Sequence, residues 1–116
     1  MARARGENKD RSLVHEEWIA RRYGGHRTSN SGASDLDPGD VRCPNDLFEC
    51  KTTGFPGHPS TAPLLHVFTK VADEAYAAGL EPAVALQYFD PDNFLANDEG
   101  WVNLVVRTVE YDLAHG

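Results

Sequence analysis

Apolar positions recur at helical spacing in two stretches of this chain. Between residues 63 and 78, Leu64, Val67, Phe68, Val71, Ala75 and Ala78 fall on one stripe, widened by Leu65 and Ala72. That spacing predicts a core-covering helix. Ser60 or Thr61 suits its N-cap, Pro63 its first turn and Gly79 its end. Residues 10–23 predict a second helix, capped by Asp10 or Ser12 and ended by Gly24-Gly25. Leu13, Ile19, Ala20 and Tyr23 share its inner face, with Glu16 in the middle, while Val14 and Trp18 form a smaller second patch. A glutamate centred in a buried stripe requires a partner, because burial penalises a lone charge. Residues 1–9 lack an apolar anchor and are expected to be a disordered basic arm, leaving 10–116 as the folded domain.

Elsewhere the pattern is that of strands. Residues 47–52 alternate, with Leu47, Glu49 and Lys51 on one face and Phe48, Cys50 and Thr52 on the other. Residues 83–89 are nearly all apolar, as in a strand buried on both faces. With the 63–78 helix between them, the two strands predict a parallel crossover. His26 to Ser29 suits a short strand, Asp40 opens a short apolar step expected as the strand beside 47–52, and Trp101 to Val106 suits a further one. Thr108 to His115 fits either a strand or a short helix. Stretches rich in breakers, Asn30 to Asp37 and Thr53 to Pro63, are expected as loops. The expectation is an α/β domain in the order helix, three strands, helix, two strands (αβββαββ), a central mixed sheet flanked by helices.

Composition narrows the class. A chain of 116 residues supports one domain with one core. No apolar run approaches the ~20 residues that span a bilayer, and no apolar segment follows the charged N-terminus. Both features point to a cytoplasmic protein without a membrane partner. The net charge of −7 is unevenly spread. Residues 1–51 hold nine Lys/Arg and nine Asp/Glu, whereas residues 52–116 hold two against nine, which accounts for the whole imbalance. Arg3, Arg5, Lys9, Arg11, Arg21, Arg22 and Arg27 therefore offer a phosphate-facing margin. Cys43 and Cys50 are expected to be free thiols. With His58 and His66 they match no common zinc-site spacing, and Asp90, Asp92, Asp98 and Glu99 do not match a calcium loop. There is no internal repeat, no Ser–His–Asp spacing and no glycine-rich phosphate loop after a strand.

The chemistry concentrates in residues 36–53. Asp40 precedes a turn at Cys43-Pro44-Asn45-Asp46, after which Glu49 and Lys51 stand on one face of the 47–52 strand. Two carboxylates and a lysine at one point cost desolvation unless a cation lies among them. All-oxygen ligands suit a hard ion such as Mg²⁺. Beside this set, Gln87 either orients a site group or caps a backbone group, and Lys70 either approaches substrate or is solvated.

Asp40 followed by Glu49-Cys50-Lys51 resembles the PD-(D/E)XK nuclease superfamily. The segment Arg27-Thr28-Ser29-Asn30-Ser31-Gly32-Ala33, leading into Gly39-Asp40-Val41, is similar to the Holliday-junction-resolvase branch, which has phage and archaeal members. Here Gly39 precedes Asp40, and Pro38 lies one place earlier. The resemblance covers roughly residues 10–106. It implies a single restriction-endonuclease-like domain that hydrolyses DNA phosphodiesters with Mg²⁺, or Mn²⁺, as cofactor. Asp40, Glu49, the Cys50 carbonyl and Glu16 would hold the metal, with Glu17 as the alternative to Glu16. Lys51 would position water or stabilise charge, and Arg27, Ser29 and Ser31 would grip the DNA strand. A homodimer acting on four-way junctions is implied. The alternatives are a nicking or degradative nuclease of the same fold, phage enzymes included, and a non-catalytic DNA-binding relative.

Overall fold

The computed structural model describes residues 5–28, 40–53 and 61–110. Its elements are α1 (Arg5–Tyr23), β1 (His26–Arg27), β2 (Val41–Arg42), β3 (Asp46–Thr53), α2 (Thr61–Ala77), β4 (Glu81–Phe89) and β5 (Trp101–Val106). The five strands form one sheet in the order β1-β2-β3-β4-β5. Only β3 and β4 run parallel, and the other neighbours are antiparallel. The molecule is thus an α/β domain built on a mixed sheet with two helices, in the expected element order.

Each face of the sheet carries one core. Ile19 and Ala20 of α1 pack with Val41, Phe48, Ala83 and Ala85. Val71 and Ala75 of α2 pack on the other side with Leu47, Val84 and Leu86. Helices on both faces explain why β4 carries apolar side chains in both directions while β3 alternates only toward its end. Both helices stop the same way. Gly24 and Gly79 take positive φ angles of 71° and 73°. Gly25 N–H then donates to Ala20 O and Leu80 N–H to Ala75 O, each at 2.8 Å, so left-handed glycines satisfy the last carbonyls.

Several expectations need correction. Helix α1 begins at Arg5, so residues 5–9 are helical rather than a disordered arm; residues 1–4 lie outside the described residues. Apart from Gly6, which costs about 1 kcal/mol, this stretch holds no breaker, and a helix already nucleated by packing extends at little cost. The inner face of α1 is rotated relative to the expected stripe: His15 is buried beside Glu16, Ile19 and Ala20. Val14 and Trp18 remain half exposed, whereas Trp101 is buried, edge-on to Phe89 at 5.3 Å. Leu65 is 67% exposed and does not widen the α2 stripe. Strand β1 ends at Arg27, and Ser29 lies outside the described residues. So do most of the two expected loops and the chain beyond Glu110.

A further tie closes the domain at the end remote from the C-terminus of β3. Arg107 Nη1 donates to Asp46 Oδ1 at 2.8 Å, and its guanidinium lies over Phe48 at 5.4 Å. Among the described residues no helix is long and apolar enough to cross a membrane.

Candidate active site

The β2–β3 hairpin places the site. Asp40 sits one residue before β2, where its backbone is held from both sides. Its N–H donates to Phe48 O at 2.9 Å, and its carbonyl accepts the Thr28 N–H at 3.0 Å. With Val41 paired to Phe48, Asp40 falls beside Glu49. Its carboxylate reaches over β3, and Oδ2 accepts the Cys50 N–H at 2.8 Å.

Asp40 stands opposite Glu49 in the hairpin register, and the Asp40 charge acts on the Glu49 carboxyl. Burial and then the Asp40 charge push the Glu49 pKa up to about 7, against the pull of Lys51 and, more weakly, Lys70. Lys51 Nζ lies 3.8 Å from Glu49 Oε2 and is about half exposed. Thus Asp40, Glu49, the Cys50 backbone and Lys51 come together, as period two on β3 and the hairpin register require.

Glu16 enters from α1. It is buried, and its Oε1 accepts Arg27 Nε at 3.1 Å. Its pKa is raised by burial; the Arg27 bond works against that rise, and the Asp40 charge adds to it. The Cys50 thiol is held well above its ordinary value by burial and then by the charges of Asp40, Glu16 and Glu49. Three acids therefore border Cys50. No three acid, histidine or cysteine side chains among the described residues are already gathered as a metal-binding group: Glu16 turns to Arg27, Asp40 to the Cys50 N–H and Glu49 toward Lys51. Glu17 is exposed, 4.0 Å from Arg27. Arg27, Arg21, Ala20 and Glu17 line a shallow cleft of about 400 Å³ beside the acids. Ser29 and Ser31 lie outside the described residues, as does His58.

The donor set fits a hard divalent cation. Asp40 and Glu49 present carboxylates close enough for the Asp40 charge to raise the Glu49 pKa, and a cation among them would relieve that repulsion.

Sequence reasoning missed a polar group on the α1 side. His15 Nδ1 lies 2.9 Å from Thr52 Oγ1. Arg11 Nε donates to Gln87 Oε1 at 2.9 Å, and Gln87 Nε2 donates to Asn103 Oδ1 at 2.7 Å. Gln87 is therefore tied to α1 and β5 side chains, and Arg11 points into the fold, over Trp101 at 4.1 Å, instead of joining a phosphate-facing margin. The available signal was the i, i+4 line Arg11–His15–Ile19–Tyr23, which turns the helix toward the sheet along that edge.

No protein-family model, curated protein or solved structure matches the chain.

Proposed function

We propose that this chain is a metal-dependent endodeoxyribonuclease of the restriction-endonuclease-like fold, cytoplasmic and selective for four-way DNA junctions. The observation that carries the reading is the Asp40–Glu49 carboxyl pair with the Lys51 ammonium beside it. A purely structural strand gains nothing from two acids held at such proximity, and their repulsion lowers stability.

Asp40, Glu49 and the Cys50 carbonyl would hold Mg²⁺ or Mn²⁺, with Glu16 bordering the site. When bound, the cation supplies charge neutralisation at the phosphate and acidifies water. The chain's own residues do the rest. Glu49 would hold the cation as a carboxylate, its proton released to solvent. Lys51, anchored by Glu49 and open to solvent, holds the attacking water or faces the negative charge that develops on the phosphate. Hydrolysis adds water oxygen to phosphorus and breaks one phosphorus–oxygen ester bond. Arg27 exchanges its contact with Glu16 for a strand phosphate, with Ser29 and Ser31 as further contacts. A two-fold homodimer supplies the two related sites that a four-way junction needs.

Cleavage of four-way junctions and linear duplex is compared with Mg²⁺, Mn²⁺ and EDTA, for the wild type and Glu49→Ala. Mg²⁺-dependent cutting of junctions, lost in the variant, is expected. Equal cutting of both DNAs would leave a nuclease of other specificity. No cutting of any DNA would retire the enzyme reading in favour of a non-catalytic DNA-binding protein.

A further inference from the structure

The contact between α1 and the sheet has two halves of different chemistry. Toward Tyr23 it is apolar, built from Ile19, Ala20, Val41, Phe48 and Ala83. One to two turns earlier in the helix it is polar. There His15, only 1% exposed, meets Thr52 at 2.9 Å, and Arg11 reaches Gln87 at 2.9 Å. Polar groups in a buried contact cost desolvation that apolar side chains of the same size would not. What they add is register. An apolar contact tolerates a small slide of helix along strand, whereas a short bond across the contact is lost by it.

The place of this bond in the chain matters. His15 adjoins Glu16, and Thr52 adjoins Lys51. The bond joins α1 to β3 at the residues next to two members of the site. The Arg11–Gln87–Asn103 chain ties the same part of α1 to β4 and β5.

We infer that His15 and Thr52 are positioning residues: their bond sets the height of α1 against β3, and so the places of Glu16 and Lys51 relative to the Asp40–Glu49 pair. This rests on the hydrolytic reading of the site. Neither side chain touches substrate or cation. Both act through the neighbour in sequence, as outer groups do when they orient ligands and catalytic side chains.

The test compares Thr52→Val, which keeps the branched shape without the hydroxyl, with Thr52→Ser, which keeps the hydroxyl. Urea unfolding establishes that each is folded. Two readouts follow: Mn²⁺ titration of the DNA-free protein, and the kcat and KM of cleavage. Thr52→Val is expected to weaken Mn²⁺ binding or lower kcat by about 10- to 100-fold, with KM for DNA changed by less than about threefold. Thr52→Ser is expected to stay close to wild type. His15→Leu, which fills similar space without ring nitrogens, is the second variant and is expected to match Thr52→Val. A folded Thr52→Val or His15→Leu with wild-type Mn²⁺ affinity and kcat overturns the proposal, as does a Thr52→Ser variant as impaired as Thr52→Val. If the wild type binds Mn²⁺ but cuts no DNA, the nuclease reading falls and the Mn²⁺ titration alone decides the positioning role. If it binds no Mn²⁺ either, both fall.

Discussion

Replacing Glu49 with glutamine separates the stability of this site from its function. In the folded chain Glu49 has its pKa raised from 4.5 to about 7, chiefly by burial and the Asp40 charge. Between those two values the folded state keeps a proton that the unfolded chain has released, so stability falls as pH rises through the window. The contribution is fully present below pH 4.5 and lost above about pH 7. A shift of that size corresponds to at most about 3 kcal/mol. The Glu49 side chain is only 18% exposed, so solvent screening removes little of it. Glutamine carries no charge, so it escapes both the burial cost and the repulsion by Asp40 that an ionised Glu49 meets. Glu49→Gln is therefore expected to match the wild type near pH 4.5 and to exceed its stability by about 2–3 kcal/mol at pH 8, while losing cleavage. Urea unfolding at pH 4.5, 6 and 8, in EDTA, measures this directly. Equal stability of the two proteins at pH 8, or a difference that does not grow with pH, would refute the account of the carboxyl pair.

Three further outcomes follow from the same geometry. Mg²⁺ is expected to raise the melting temperature of the wild type more at pH 8 than at pH 6, because below about pH 7 it competes with the Glu49 proton; Asp40→Asn should abolish the effect in thermal melts. Lys51→Ala is expected to lower kcat by about 100-fold or more while changing unfolding free energy by less than about 0.5 kcal/mol, since the side chain is about half exposed. Asp46→Ala removes the 2.8 Å ion pair to Arg107 in a largely buried position and is expected to cost about 1–3 kcal/mol in urea unfolding, whereas the change Asp73→Ala at an exposed position should cost little.

Local periodicity carried much of the architecture. The stripe from Leu64 to Ala78 marks α2, the apolar run at 83–89 marks a doubly covered strand, and alternation from Leu47 to Thr52 divides β3 between two faces. That alternation, with the turn at Cys43 to Asp46, also puts Glu49 and Lys51 on one side and Asp40 nearby. These are short-range consequences of backbone geometry, so the sequence by itself determined them. The rotation of α1 was a tertiary decision. On a wheel, Glu16 suits the inner face of any register that buries Ile19, but whether His15 or Leu13 flanks it depends on what the sheet offers. Thr52 lies 37 positions from His15, and Gln87 lies 76 from Arg11. No local pattern specifies bonds over such separations; they form because the sheet brings β3, β4 and β5 under one helix. The same holds for the choice of Arg27 as the partner of Glu16, and for the charge of Asp40 acting on Glu49. Residue type made these groups eligible, and only the folded arrangement, by burying them together, decided which of them would meet and that Glu16 and Glu49 would have raised pKa values.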